Sequence, residues 1–397
     1  MKVLMIVPQP FFQARGTPFS VYFRTRTMAA LGHQVDIVTY PIGQDVAIPG
    51  VRILRSRRVP FIRNIKIGPS LPKLILDVPL FFKGFWQLLT TRYDFVHAHE
   101  EAAFFCLVYK LFFWRMKILY DMHSSLPQQL RNFKFTKNPA LIKSFEWLEK
   151  LSLKNASGII TICPDLQRTV DGMRMPVPSV MIENTLFDRV DFPAGVIETG
   201  ADAVDWSLYT NRKVILYSGT FEAYQGLPML IDASPRVLAA RPDALFVLVG
   251  GTPAQVADMR RRAAELKVAG SVLFTGNLSP NATKTFMRRA DVLVSPRMKG
   301  TNTPLKIYEY LASGKPIVAT RHPTHTQILT DHEAVLAECD ASSFAEGILE
   351  ALNDPERARD VVVGAGKLYR RDYAPELYQS RLKELLGRMS RDMVGAR

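Results

Sequence analysis

Disulfide chemistry is the first thing this sequence lacks. Its three cysteines, Cys106, Cys163 and Cys339, lie far apart with no paired spacing. That excludes a disulfide framework and a cysteine zinc site, and it points to a reducing compartment. Long hydrophobic runs are also missing: no uninterrupted apolar stretch is long enough to span a bilayer. The apolar amino end, "MKVLMIVPQPFF", is broken by Pro8 and followed by no small-residue cleavage site, so it reads as a first buried strand. No helix-turn-helix, zinc finger or RNP signature occurs, which argues against nucleic acid as a partner. Acidic charge is scarce as well. Against 51 Lys and Arg stand 37 Asp and Glu, a net charge of +14. Such an excess favours anionic partners, either phosphorylated ligands or an anionic membrane surface.

What is present begins with where the basic residues lie. "RSRRVPFIRNIKIGPSLPKLILDVPLFFKGFWQLLTTR" (55–92) mixes Arg and Lys with Phe, Trp, Leu and Ile. "YKLFFWRMKIL" (109–119) does so again. Basic residues beside bulky apolar ones suit a surface lying on lipid head groups. A core helix with solvated Lys and Arg stems gives the same pattern. Two such stretches in one half, with no comparable one in the other, favour membrane contact.

Apolar runs alternate with helical periodicity along the whole chain. In the first half the strands are 2–7, 34–40, 94–98, 116–121 and 158–162, with helical patterns at 18–31, 100–113 and 139–155. In the second half they are 213–219, 244–251, 271–276, 291–296 and 316–320, with helices at 226–240, 253–266, 281–289 and 304–313. Runs apolar throughout predict strands buried on both faces, hence parallel sheets with helices on each side. Two series in 397 residues predict two doubly wound domains. Residues 187–212 lose the pattern and read as the linker. The expected domains are 1–190 and 191–373. The last stretch, 374–397, reads as a helix with Tyr378, Leu382, Leu385 and Met389 on one stripe. It is expected to pack back on the first domain.

Ligands of open parallel sheets bind beyond the carboxyl ends of strands. The residues that follow each strand are therefore the candidates. After the first comes "PQPFFQARGTPFS", with Gly16-Thr17 in a loop entering a helix at Pro18. A glycine there lets backbone N–H groups approach an anion, at a helix start that favours negative charge. This loop is not a Gly-x-Gly-x-x-Gly fingerprint, so a nicotinamide dinucleotide is a poor fit. His97, His99 and His123 end neighbouring strands. His-x-His puts both rings on one face, but no acidic ligand sits at a fixed offset, and hydrogen bonding of a polar ligand by His123 is a better reading than a metal.

"TPLKIYEYLASGKPIVAT" (303–320) carries more. Thr303 suits the N-cap and Pro304 the first helical position; Gly314 suits the position after the helix. Ile307 and Leu311 give a buried face, and Lys306 and Glu309 share another. The loop before it, "RMKGTN", is basic. A positive helix start, Lys306, and Arg297 or Lys299 make an anion site suited to a diphosphate. Glu309, one turn deeper, suits two adjacent hydroxyls such as those of a ribose. An exposed Lys–Glu pair on a surface helix would look similar.

These residues resemble the carboxyl-domain signature of the family 4, or group 1, retaining glycosyltransferases. "YSGTFEAYQGLPMLIDA" (217–233), "LVGG" (248–251), "FTGNLS" (274–279), "NASGIITICPDL" (155–166) and "IENTLF" (182–187) follow in that family's order. The resemblance implies an α/β fold of GT-B type: two Rossmann-like doubly wound parallel-sheet domains facing across a cleft. It implies that Glu309 is the second glutamate of the family's Glu-x7-Glu motif and holds the ribose. Gly16 matches the glycine loop near donor phosphate and acceptor, and His123 a histidine that contacts the donor sugar. With Lys306, these are the expected catalytic residues. Donor contacts are expected from Gly219, Arg297, Lys299, Thr301, Asn302, Thr303, Pro304, Leu305, Lys306 and Glu309. Two departures stand out. Thr301 occupies the first glutamate position, and Thr220 and Gln225 stand where the family often carries Arg and Lys. Lys306, with Arg297 or Lys299, is the candidate replacement for that charge.

The resemblance implies transfer of a sugar, with retention, from a nucleotide-diphosphate sugar to an acceptor hydroxyl. No metal or other cofactor is expected, in keeping with the lack of an Asp-x-Asp loop at a suitable site. The basic apolar surface suggests a lipid-linked or membrane-associated acceptor, as in exopolysaccharide or glycolipid synthesis, and a cytoplasmic protein peripheral on the inner face of the membrane. Two alternatives are a nucleotide-sugar 2-epimerase, which would need acidic residues such as Asp94, Glu100 or Asp121, and a non-catalytic nucleotide or glycan binder.

Overall fold

The computed structural model describes residues 1–12, 16–62, 65, 70–125, 127, 138–183 and 209–394. The chain divides into two compact units, Met1–Leu186 with Pro375–Arg397, and Phe187–Ala374. Most of the expected linker, 187–208, lies outside the described residues.

The first unit is built on seven strands: β1 Lys2–Val7, β2 Gln34–Thr39, β3 Val51–Arg55, β4 Phe95–His99, β5 Ile118–Met122, β6 Gly158–Thr161 and β7 Ser179–Met181. They pair in parallel in the order β3-β2-β1-β4-β5-β6-β7. The central strands are apolar on both faces because helices cover both. Leu4, Ile6, Val96, Ala98, Ile118 and Ile159 meet in one core. The order reverses between β1 and β4, which makes their carboxyl ends the binding edge.

Two helices of this unit matter later. One, Leu71–Thr90, buries only Leu76, Leu80 and Gly84. A Cβ on Gly84 would lie 2.7 Å from the Tyr109 hydroxyl oxygen, so glycine permits this close seat. The other, Pro375–Val394, buries Tyr378, Leu382, Leu385 and Met389, the stripe read from sequence. Met389 sits where a Cβ on Gly158 would be, at 2.6 Å from its sulfur. Arg381 pairs with buried Glu183 at 3.2 Å.

The second unit carries six parallel strands: β8 Lys213–Ser218, β9 Ala244–Val249, β10 Val272–Gly276, β11 Val292–Ser295, β12 Ile317–Thr320 and β13 Val335–Ala337. Their order is β10-β9-β8-β11-β12-β13, with the reversal between β8 and β11. Strands β3, β7 and β13 were not anticipated from the sequence. Each lies at a sheet edge; β7 and β13 have three residues each, and β3 carries Arg52 and Arg55, so none shows the apolar run that marks a central strand. Helix Gly16–Ala30 begins two residues earlier than expected, so Gly16 stands at a helix start rather than in the loop before it.

Candidate active site

At the switch point of the second unit, two loops meet. After β8 the chain turns at Gly219, whose φ of +143° excludes most side chains and whose N–H donates to the Val249 carbonyl at 3.0 Å. The loop ends at Gly226, where a Cβ would lie 1.9 Å from the Pro296 carbonyl oxygen. That carbonyl belongs to the loop after β11. The Met298 N–H donates to the Tyr224 carbonyl at 3.0 Å and ties the two together. Thr220 and Gln225 hydrogen-bond each other at 3.5 Å and bring no charge.

Cationic charge comes instead from the second loop and its helix. Helix Leu305–Ala312 starts one residue later than expected: Pro304 is the N-cap, and with no side-chain hydroxyl it leaves the first N–H groups without a side-chain cap. Thr303 lies before it, with its hydroxyl buried and unpartnered among the described residues. The helix ends as read, with Gly314 at φ +69°. Leu305 and Glu309 are half-buried, while Ile307 and Leu311 face the core.

Lys306 is not an exposed helix residue. Its side chain is buried, and its Nζ lies 3.6 Å from the centroid of the Tyr217 ring. A Cβ on Gly219 would sit 2.9 Å from that Nζ, so the glycine makes room for the ammonium. The Nζ has no hydrogen-bond partner among the described residues. Burial pushes its pKa well below the usual lysine value, the Arg297 charge adds to this, and Glu309 opposes it. Arg297 is therefore the second cation of this site. Its Nε donates to the Lys299 carbonyl at 2.9 Å, its guanidinium lies over Tyr224 at 5.0 Å, and the Thr320 hydroxyl donates to its carbonyl. Lys299 itself is exposed and contributes its backbone. Thr301 approaches Asn302 Oδ1 at 3.4 Å, and its carbonyl accepts from Gln327 at 2.9 Å.

Sequence reasoning missed His325. Its Nδ1–H donates to the Thr320 carbonyl at 2.9 Å, so Nε2 is left to accept from the Ser295 hydroxyl, also at 2.9 Å. Burial pulls its pKa down to about 3, so the ring is neutral and ties β11 to β12 directly under the Arg297 loop. Tyr217 and Tyr224 were missed too; the first lies near the end of β8 and the second in the loop that follows it, and nothing local distinguishes them from core aromatics.

The first unit gathers the three histidines. His97 and His99 lie on β4 with their rings stacked at 4.4 Å, as the alternate spacing requires. Asp121 on β5 lies opposite His99, and His123 follows two residues on. All four are buried. Asp121 Oδ2 accepts from Arg24 Nε at 3.0 Å and lies 3.1 Å from His97 Nε2; Oδ1 is 3.2 Å from His123 Nε2. Arg24, fully buried, also donates to the Ile182 carbonyl at 3.3 Å and lies 5.2 Å from the Tyr378 ring centroid. Burial alone would raise Asp121, but Arg24 and the histidines win and hold it well below the usual carboxylate range. Donor atoms of His97, His99 and Asp121 lie within 4.8 Å of one another, a spacing a metal could bridge. Arg24 already sits on the same carboxylate oxygen, 3.0 Å away.

The other acidic candidates are also engaged. Glu100 accepts from Gln9 at 2.8 Å, and Lys73 pairs with Glu101 at 2.7 Å. Asp94 accepts from the Lys2 N–H at 2.7 Å.

Known families match both halves of this arrangement. Residues 201–367 match the model described as glycosyl transferases group 1. Residues 25–185 match the glycosyl transferase 4-like domain. The chain belongs to the group 1 glycosyltransferases. This transferase is 25% identical over 380 residues to the phosphatidyl-myo-inositol mannosyltransferase of Mycobacterium leprae, covering 94% of each chain. Its fold is shared with a sucrose-phosphate synthase of Thermosynechococcus elongatus, at TM-score 0.72 and 19% identity over the whole of both chains. HepE of Anabaena, solved with UDP-glucose, aligns at TM-score 0.71 and 16% identity over 98% of this chain and 99% of its own. The fold is thus the GT-B type, two parallel-sheet α/β domains.

Proposed function

We propose that this transferase moves a sugar, with retention, from a nucleotide-diphosphate sugar to a hydroxyl of a lipid-linked acceptor at an anionic membrane surface. The observation that carries the donor half is the Lys306 ammonium, buried and unpartnered at the switch point of the second unit. An isolated buried charge is costly unless something pairs with it. A diphosphate does so, held by Lys306, Arg297 and the uncapped start of helix Leu305–Ala312. Glu309 takes the ribose hydroxyls. Within the first unit, His123 is assigned to a sugar hydroxyl and Gly16 to the acceptor side. No protein nucleophile is required. The acceptor hydroxyl attacks from the face the diphosphate leaves, and its proton passes to a phosphate oxygen. The cations stabilise the charge that develops there. Because they supply that charge, the reading needs no metal.

Support for the acceptor half comes from helix Leu71–Thr90. Leu74, Val78, Phe82 and Trp86 are exposed along it, and they line a groove of about 1090 Å³ with Arg57, Arg58 and Lys83 at its edge. Bulky apolar side chains beside cations fit a bilayer interface with anionic lipid. The name of the mycobacterial relative places its own acceptor among phospholipids. The position expected is peripheral, on the cytoplasmic face; among the described residues no helix is long and apolar enough to cross a membrane. An epimerase reading gains nothing from Asp94 and Asp121, which are held by a backbone N–H and by Arg24.

Lys306→Ala should abolish nucleotide-diphosphate binding in calorimetry, whereas Lys367→Ala should leave it unchanged. Equal effects would remove the donor assignment. A thermal-shift screen with UDP, GDP and ADP sugars then names the base.

A further inference from the structure

We propose that the groove beside helix Leu71–Thr90 holds one molecule of the acceptor, a lipid with a phosphate in its head group. Arg57 and Arg58 take the phosphate, and one hydrocarbon tail lies along the helix, drawn out of the bilayer. The inference rests on the reading of this helix as lipid-facing, and it names the acceptor class that reading leaves open.

Shape is the first observation. A helix that only lies on a bilayer is convex and needs no hollow. Here Leu74, Val78, Phe82 and Trp86 repeat every four residues along one stripe of the helix, and with Val59, from the segment after β3, they wall a groove of about 1090 Å³. That is the volume of a ligand site. From Leu74 to Trp86 the stripe runs about 18 Å at the helical rise, the length of a long alkyl chain.

Charge is the second. Arg57 and Arg58 are exposed, line the groove, and enter no ion pair among the described residues. No acidic side chain lines the groove with them. The one acidic residue of the helix, Asp77, accepts from the Tyr40 hydroxyl at 2.5 Å. Lys73 is paired with Glu101 at 2.7 Å. The unmatched cations are therefore the two guanidiniums and Lys83, and neighbouring guanidiniums suit a phosphate better than a neutral polyol.

Position is the third. The Lys73–Glu101 pair pins the start of the helix beside the end of β4, and Arg57 and Arg58 lie just past the end of β3. The cationic end of the groove thus lies at the carboxyl edge of the sheet, where ligands of such sheets bind, and the apolar stripe leads away from it. A lipid seated this way presents its head group to that edge.

Calorimetry with monomeric lipid, below its micelle concentration, tests this without a bilayer. Decanoyl lysophosphatidic acid should bind saturably, one per chain, and monodecanoylglycerol about 10- to 100-fold more weakly. Arg57→Ala with Arg58→Ala should remove that difference. Val78→Trp should fill the groove and abolish binding of both, yet leave flotation with anionic vesicles intact, because the added ring is itself at home in the interface. Unsaturable uptake, equal affinity for the two lipids, or an unmoved Kd in Val78→Trp would overturn the proposal. If a variant does not fold, the comparison of the two lipids on the wild type still decides. The membrane reading fails separately: the wild type would then not float with anionic vesicles, whatever the monomers do.

Discussion

A lysine packed on an aromatic face, without a hydrogen-bond acceptor, is a residue waiting for an anion. Lys306 is in that state, and its titration follows from its surroundings. Burial and the Arg297 charge depress it in the free protein. A diphosphate between the two cations reverses both effects and raises it again. Binding should therefore take up protons at pH between the free and the bound pKa, and affinity should fall as pH rises through that window and level off above it. Calorimetry of UDP or GDP binding in buffers of different ionisation heat measures this, and Lys306→Met should abolish it. No uptake at any pH would mean that the ammonium does not meet the phosphates. Lys306 was legible in the sequence because it follows a strand and opens a helix. Its burial was not, since the Tyr217 ring beneath it comes from another strand. Gly219 shows the same limit: φ +143° and the closeness of Lys306 are tertiary facts about a residue that looks like any turn glycine.

Helix Leu71–Thr90 shows what an element adds. Its sequence is apolar nearly all round, which composition cannot separate from a core helix. The fold buries a narrow strip and leaves Phe82 and Trp86 at 63% and 59% exposure. Phe82→Ser with Trp86→Ser should therefore weaken flotation with anionic vesicles and leave Tm unchanged. Leu80→Ala, on the buried strip, should instead cost about 2–5 kcal/mol of stability. Unaltered flotation of the double variant, at low salt where charge attraction is strongest, would remove this helix from the membrane reading. Boundaries within elements were less legible. The helix expected to start after a Thr303 cap starts after Pro304, because the Thr303 hydroxyl turns into a buried position instead of toward the helix.

For the molecule as a whole, the last helix belongs to the first unit although it follows the second in sequence. Leu382, fully buried, and Arg381, paired with Glu183, fasten it. Leu382→Ala should cost about 2–5 kcal/mol and lower the Tm of that unit, by roughly 2–4 °C per kcal/mol for a domain of this size. Differential scanning calorimetry checks this, and an unmoved transition would mean that the helix adds nothing to the unit's stability. The same helix presses Tyr378 on Arg24, so its loss should also disturb the Asp121 cluster. The net charge of +14 is spread over the whole chain, but the cations argued to act sit in two places, at Arg297 and Lys306 and along the 57–83 groove.

By itself the sequence determined the parallel sheets, the number of Rossmann-like series, the loops that follow the strands and the family signature at 303–320. These are properties of neighbouring residues, and hydrophobic period, glycine and proline report them directly. Folding alone settles which cations are buried together, which face of helix Leu71–Thr90 stays bare, and how Arg24, His97, His99 and His123 gather around the Asp121 carboxylate. Each of those depends on desolvation and on partners far away along the chain, and a charge acquires its chemistry from what surrounds it after folding, not from its neighbours in sequence.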